Sequence, residues 1–207
     1  MTTERETPPA IVFDLGGVLV DWNPRHLYRK LFDDTEEMEW FLAEVCSPAW
    51  NLRQDAGRPF ADAIREKQAQ YPRYASAISA YFDRWPEMLG GLHADTLAVL
   101  RDVRASGAPL YALTNWSHET FPVARARYEF LDWFRGIVVS GEAGLVKPDP
   151  RIYRCLLDRY GVTPVGTVFI DDSPANVEAA RDLGMTGIHF AGAADLRGEL
   201  QALGVLQ

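Results

Sequence analysis

The sequence predicts an α/β fold: a doubly wound parallel sheet with helices on both faces and an α-helical domain inserted into it. Three observations lead there. From residue 94 onward, short apolar runs alternate strictly with segments of helical period. A further apolar run, "AIVF" at residues 10–13, stands apart near the start, and between the two lies a stretch, residues 23–85, with helical spacing, many aromatics and no convincing strand. Strict alternation means βα units, whose crossovers put helices on both faces of a parallel sheet. The expected organisation is a flexible lead-in at 1–9, a core built from 10–21 and 91–207, and a helical insertion at 22–90.

Residues 1–9, "MTTERETPP", carry no apolar run and read as the lead-in. The strand at 10–13 runs into Asp14, Gly16 and Gly17, so a buried strand stops at a carboxylate and a sharp turn. In the insertion, residues 24–32, 35–46, 59–71 and 74–85 show helical spacing. Its aromatics Trp40, Phe41, Trp50, Tyr74, Tyr81 and Trp85 read chiefly as core. Trp50, Asn51 and Arg53, on an apparent loop, are the residues expected to turn toward a ligand, with Trp116 at the rim. The helix at 94–106 places Leu97, Leu100 and Val103 on one face and ends at Gly107, a left-handed stop. Then follow a strand at 109–115, a helix from about Ser117, a strand at 136–140, a helix at 150–161, a strand at 166–172, a helix at 174–184, a strand at 186–190 and a last helix at 194–204.

Composition removes several classes of function. A net charge of −8 and a pI near 5.0 argue against a nucleic-acid partner, which clustered Lys and Arg would bind. No run approaches the roughly 18 apolar residues a spanning helix needs, and no leader is evident, so the expected setting is cytoplasmic with no membrane partner. Cys46 and Cys155 fit no zinc or disulfide pattern and read as buried thiols.

Ligands of open parallel sheets bind beyond the carboxyl ends of the strands. That rule gathers Asp14, Thr114 with Asn115, the segment at Lys147, and Asp171 with Asp172 into one place. Three carboxylates so close repel one another and call for a cation; oxygen ligands on a hard site indicate Mg²⁺, with Lys147 as a second compensator. Asp14 at a strand tip suits a nucleophile toward phosphorus, and Thr114, Asn115 and nearby backbone N–H groups suit a phosphate cradle. Singly, each has a plain structural reading: Asp14 as a turn residue, Thr114 and Asn115 as helix caps, Lys147 as a loop lysine, and Asp172 as the lead into a helix capped by Ser173.

The order "FDLGGVL", "ALTN", "GLVKPDPRIY", "VFIDDSPANVEAARDLG" resembles the four ordered motifs of the haloacid dehalogenase-like hydrolase superfamily. The insertion after the first motif resembles that superfamily's helical cap on a Rossmann-like core. Within it the chain is most similar to sugar-phosphate phosphatases of the alpha-glucose-1-phosphatase type and to the phosphatase domain of epoxide hydrolases. The resemblance implies a Mg²⁺-dependent phosphatase acting on a small phosphorylated metabolite, a sugar phosphate for preference, through an aspartyl-phosphate. Asp14 is implied as nucleophile and metal ligand, Lys147 as the catalytic cation that also meets the phosphate, and Gly17, Thr114 and Asn115 as substrate-binding. Asp172 is implied as a direct metal ligand, Asp171 as a further or water-mediated one, Gly16 as a ligand through its carbonyl, and Asn176 as orienting Lys147.

Gly16 departs from the pattern, because the common phosphatase motif has there a second aspartate that protonates the leaving alcohol and later activates water. Such help is worth roughly 10²- to 10⁴-fold. Asp21 and Asp55 are the candidates to replace it, unless the leaving group needs none. Haloacid dehalogenases proper also lack that aspartate, but they use no metal, and paired aspartates would be costly neighbours for a metal-free nucleophile. A 2-haloacid dehalogenase and a non-catalytic binding protein on the same scaffold are the alternatives.

Overall fold

The computed structural model describes residues 8–207, so the expected lead-in lies outside the described residues apart from Pro8 and Pro9. In chain order the elements are β1 (Ala10–Phe13), β2 (Val20–Trp22), α1 (Arg25–Tyr28), α2 (Thr35–Trp40), α3 (Pro48–Asp55), α4 (Phe60–Gln70), α5 (Ala75–Asp83), β3 (Leu89–Leu92), α6 (Ala94–Ser106), β4 (Leu110–Thr114), α7 (Phe121–Arg127), β5 (Gly136–Val139), α8 (Ser140–Ala143), α9 (Pro150–Tyr160), β6 (Thr167–Asp171), α10 (Pro174–Asp182), β7 (Thr186–His189) and α11 (Ala193–Ala202). Short 3-10 turns at Trp85–Met88 and Glu129–Trp133 and a π-helical turn at Phe41–Val45 link them.

Five strands form one parallel sheet in the order β5-β4-β1-β6-β7. Successive residues of each strand face opposite sides, and both sides are buried. Ile11, Phe13, Ala112 and Ile170 belong to one apolar cluster; Val12, Leu113 and Phe169 belong to the other. The second cluster is closed by Ile152, Tyr153, Leu156 and Leu157 of α9. The first takes Val99, Leu100 and Val103 of α6 and runs on into the helical insertion, so sheet and insertion share apolar contacts. Helices α6 and α9 stop at Gly107 and Gly161, both in the left-handed conformation (φ of 85° and 65°).

β1 lies between β4 and β6, and the chain leaves it toward opposite edges, which makes the carboxyl end of β1 the crevice of the sheet. Helices α1 to α5 lie between β2 and β3, which pair antiparallel, so the chain enters and leaves the helical segment side by side. The sequence reading lacks this small sheet. It also lacks the short helix α8, and it differs at other places. Residues 48–55 are a helix rather than a loop, Ser47 Oγ accepting from the Trp50 N–H (3.2 Å) with Pro48 in the first turn. The helix expected from Ser117 begins at Phe121, after a turn. Cys46 is buried as expected, but Cys155 is partly exposed. Among the described residues, no helix is long and apolar enough to cross a membrane.

Candidate active site

The ladder of β1 extends one residue past the strand, the Asp14 N–H donating to the Ile170 carbonyl (2.8 Å), before the chain turns. This fixes the Asp14 carboxylate at the mouth of the crevice. Its Oδ1 accepts from the Leu15 N–H (2.7 Å) and lies 2.9 Å from Lys147 Nζ. Asp171, at the end of the neighbouring strand, is fully enclosed: its Oδ2 takes Lys147 Nζ (2.6 Å), and its Oδ1 accepts from the Ser173 N–H and Asn176 Nδ2, both at 2.9 Å. Asp172 is more exposed and lies beside Gly17. Asp14, Asp171 and Asp172 each offer an oxygen within 4.8 Å of the others.

Three carboxylates against one ammonium leave two negative charges without a partner. The electrostatics follow. Burial pushes the Asp14 carboxyl up to about 7, Lys147 working against the rise and Asp171 adding to it. Burial also raises Asp172, again with Asp171 adding. Burial alone would lower Lys147, but the flanking Asp14 and Asp171 outweigh it and hold its ammonium above the ordinary lysine value. A hard divalent cation among these oxygens would relieve the excess, and the donor set suits one.

β4 supplies Thr114 and Asn115. Thr114 Oγ1 is buried and has no hydrogen-bond partner among the described residues, a rare state for a hydroxyl in a core and one that a ligand oxygen would satisfy. Asn115 clamps the backbone of Lys147 on both sides: Nδ2 donates to the Lys147 carbonyl (3.1 Å), and Oδ1 accepts from its N–H (2.8 Å). Its amide is therefore committed to placing Lys147 rather than free for phosphate. Asn176 reaches Lys147 only through Asp171.

The two glycines after Asp14 differ. At Gly17 (φ +75°) a Cβ would collide with Asp172 Oδ2, so only glycine leaves that carboxylate in place. The Gly17 N–H, expected to contact substrate, donates to the Val20 carbonyl (3.0 Å) within the turn. At Gly16 a Cβ would meet nothing within 4 Å. The space opens into a cavity of about 60 Å³ lined by Gly16, Trp22, Asn51, Asp55, Trp85, Asn115, Trp116 and Thr120. The indole N–H groups of Trp22 and Trp116, two of the lining residues, have no partner among the described residues.

Of the residues expected to face a ligand, Asn51 and Trp116 line this cavity. Trp50 does not: it is buried in the insertion, edge-on to Tyr81 (4.9 Å between centroids). Arg53 points to solvent. Asp21 is engaged by His26 Nε2 (2.9 Å) away from the cavity. Of the aromatics read as core, Trp40 is exposed, while Trp85 is buried in the core and also lines the cavity. Sequence reasoning missed Trp22 and Ser140. Ser140 Oγ accepts from the Trp116 N–H (2.8 Å) and donates to the Asp55 carbonyl (2.6 Å), tying the insertion to the sheet. Its one signal is a hydroxyl at the carboxyl end of a strand.

The profile of the haloacid dehalogenase-like hydrolases matches residues 8–184. The sesquiterpene phosphatase astK of Aspergillus oryzae is 29% identical over 183 residues, covering 87% of this chain and 89% of that protein. Among solved structures, the HAD family enzyme bt-2542 from Bacteroides thetaiotaomicron, in complex with magnesium and inorganic phosphate, superposes with a TM-score of 0.64 at 22% identity, covering 86% of this chain and 92% of that one. The L-2-haloacid dehalogenase RSc1362 superposes with a TM-score of 0.67 at 20% identity, covering 94% and 99%. At such identities the structures speak for the fold alone.

Proposed function

Because the chain belongs to the haloacid dehalogenase-like hydrolase family, we propose that it hydrolyses a small phosphate monoester, in the first instance a sugar phosphate, with Mg²⁺ as cofactor and an aspartyl-phosphate intermediate. Asp14, Asp172 and the Gly16 carbonyl would hold the ion, with Asp171, its oxygens already engaged by Lys147, Ser173 and Asn176, a further candidate. When bound, the ion neutralises the excess carboxylate charge and polarises the phosphoryl group.

A carboxylate oxygen of Asp14 attacks phosphorus; a new O–P bond forms as the ester O–P bond breaks. Thr114 Oγ1 donates to a phosphoryl oxygen, which satisfies its otherwise unpartnered hydroxyl. Lys147, held by Asn115 and Asp171, keeps Asp14 ionised and meets the incoming charge. Residues 22–90 act as a cap. The cavity of about 60 Å³ has room for roughly two waters, so the cap opens for substrate and closes over it. Trp22, Trp85 and Trp116 offer aromatic faces to the carbon part of the ester, with Asn51 and Asp55 for its polar groups.

The observation that carries this reading is the meeting of three carboxylates, one buried lysine and an unpartnered threonine hydroxyl at one strand crevice. The Asp171–Asp172 pair favours a phosphatase over a dehalogenase, which works on a carboxylate nucleophile without metal. Purified protein is incubated with Mg²⁺ and a panel of phosphate esters including glucose 1-phosphate, and separately with 2-chloropropionate in chelator. The expected result is phosphate release that chelation and Asp14→Asn both abolish. Chloride release in chelator, or neither product, would overturn the proposal.

A further inference from the structure

Resting on the phosphatase reading, we propose that Asp55, carried in by the cap, is the general acid and base of the reaction and stands in for the side chain that Gly16 lacks. The geometry comes from both walls of the cavity. On the sheet side, Gly16 leaves open space where a side chain would project, with no atom within 4 Å of a Cβ. On the cap side, Asp55, the last residue of α3, lines that same cavity. Among the described residues no other carboxylate does so: Asp21 is held by His26, and the remaining lining residues are Gly16, Trp22, Asn51, Trp85, Asn115, Trp116 and Thr120.

Asp55 is placed rather than merely near. Ser140 Oγ holds its backbone carbonyl (2.6 Å), and Ser140 is itself bonded to the Trp116 N–H. Two residues on, a Cβ at Gly57 would press on the Gly141 carbonyl, so the end of α3 sits hard against α8, which follows β5 directly. On the cap side, Asn51 Nδ2 donates to Asp55 Oδ2 (2.9 Å). The groups facing the carboxyl are thus the Asn51 amide and the Tyr81 phenol from the cap and the Ser117 backbone from the core. None is a cation. Burial accordingly pushes the Asp55 carboxyl up to about 7, with only the Ser117 backbone hydrogen bond acting the other way, and a group of that strength gives and takes protons near neutrality. The supply of the acid by the cap also means that the acid is in place only when the cap is closed.

The protons balance. In the first step the Asp55 carboxyl gives its proton to the ester oxygen as that oxygen leaves phosphorus, releasing the alcohol. In the second, the Asp55 carboxylate takes a proton from water as the water oxygen attacks phosphorus and the bond to Asp14 breaks. Inorganic phosphate leaves, and both aspartates return to their starting states.

Leaving-group chemistry tests this in the intact enzyme with Mg²⁺. p-Nitrophenolate leaves without a proton, whereas the alcohol of glycerol 1-phosphate needs one. Asp55→Asn, which is nearly isosteric, is expected to give a burst of about one p-nitrophenolate per enzyme followed by slow turnover, since the second step lacks its base. On glycerol 1-phosphate it is expected to lose about 10²- to 10⁴-fold with no burst. In the wild type, kcat/KM for glycerol 1-phosphate falls as pH rises through the Asp55 value, because the acid must be protonated; in Asp55→Asn that fall disappears. Adding Gly16→Asp to Asp55→Asn restores turnover of both esters. Unchanged rates in Asp55→Asn, or equal loss on both esters without a burst, overturn the proposal while leaving the phosphatase reading intact. Failure of the wild type to release phosphate from either ester overturns that reading and this proposal with it.

Discussion

Gly16 and Gly17 are chain neighbours under opposite constraints, and under the proposed function the difference separates metal binding from proton transfer. Gly17 is in the left-handed region, and any Cβ there meets Asp172 Oδ2; Gly16 borders empty space. Gly17→Ala is therefore expected to displace Asp172 and weaken Mg²⁺ binding at least tenfold, about 1.4 kcal/mol. Gly16→Ala is expected to leave it within twofold. Calorimetric titration of the two variants with MgCl₂ checks this, and equal affinities would remove Asp172 from the metal site. That Asp14, Lys147, Asp171 and Asp172 come together was legible in the sequence because four strand ends of a parallel sheet share one edge. The commitments of Asn115 to Lys147 and of Gly17 to its turn were not, because a residue type reports which bonds it can make and not which it has already made.

Among elements, the small β2–β3 sheet joins the helical segment to the core. Gly90 sits where a Cβ would collide with both Asp21 Oδ2 and His26 Nε2. Gly90→Ala breaks that packing and is expected to cost about 1–3 kcal/mol, read as a lowered urea midpoint with an unchanged slope. No change would show that Asp21 and His26 move aside freely. This sheet escaped the sequence reading because its strands are three and four residues long and their partners lie far apart in the chain. α3 escaped for a different reason. Only Trp50 and Gln54 of its eight residues are buried, too few to print a helical period, although Ser47 followed by Pro48 is a start signal. The core strands and the helices ending at Gly107 and Gly161 were legible, since burial on both faces writes a continuous apolar run and a left-handed glycine marks a stop.

At the scale of the whole molecule, the carboxylate cluster of the sheet and the aromatic cavity that holds Asp55 lie to either side of the turn at Gly16. Closure joins the core and the helical segment through Ser140 to Asp55, the Phe60 N–H to Glu119 Oε2 (2.7 Å) and Trp85 against Trp116 (5.5 Å between centroids). The proposed reaction requires a carboxylate oxygen of Asp14 to take the phosphoryl group. Asp55→Asn enzyme with Mg²⁺ and p-nitrophenyl phosphate, quenched in acid within the burst and digested, puts this to mass spectrometry. The account predicts one phosphoryl group on the peptide containing Asp14, removed by hydroxylamine. A phosphoryl group on any other residue, or turnover with none on the protein, would contradict it.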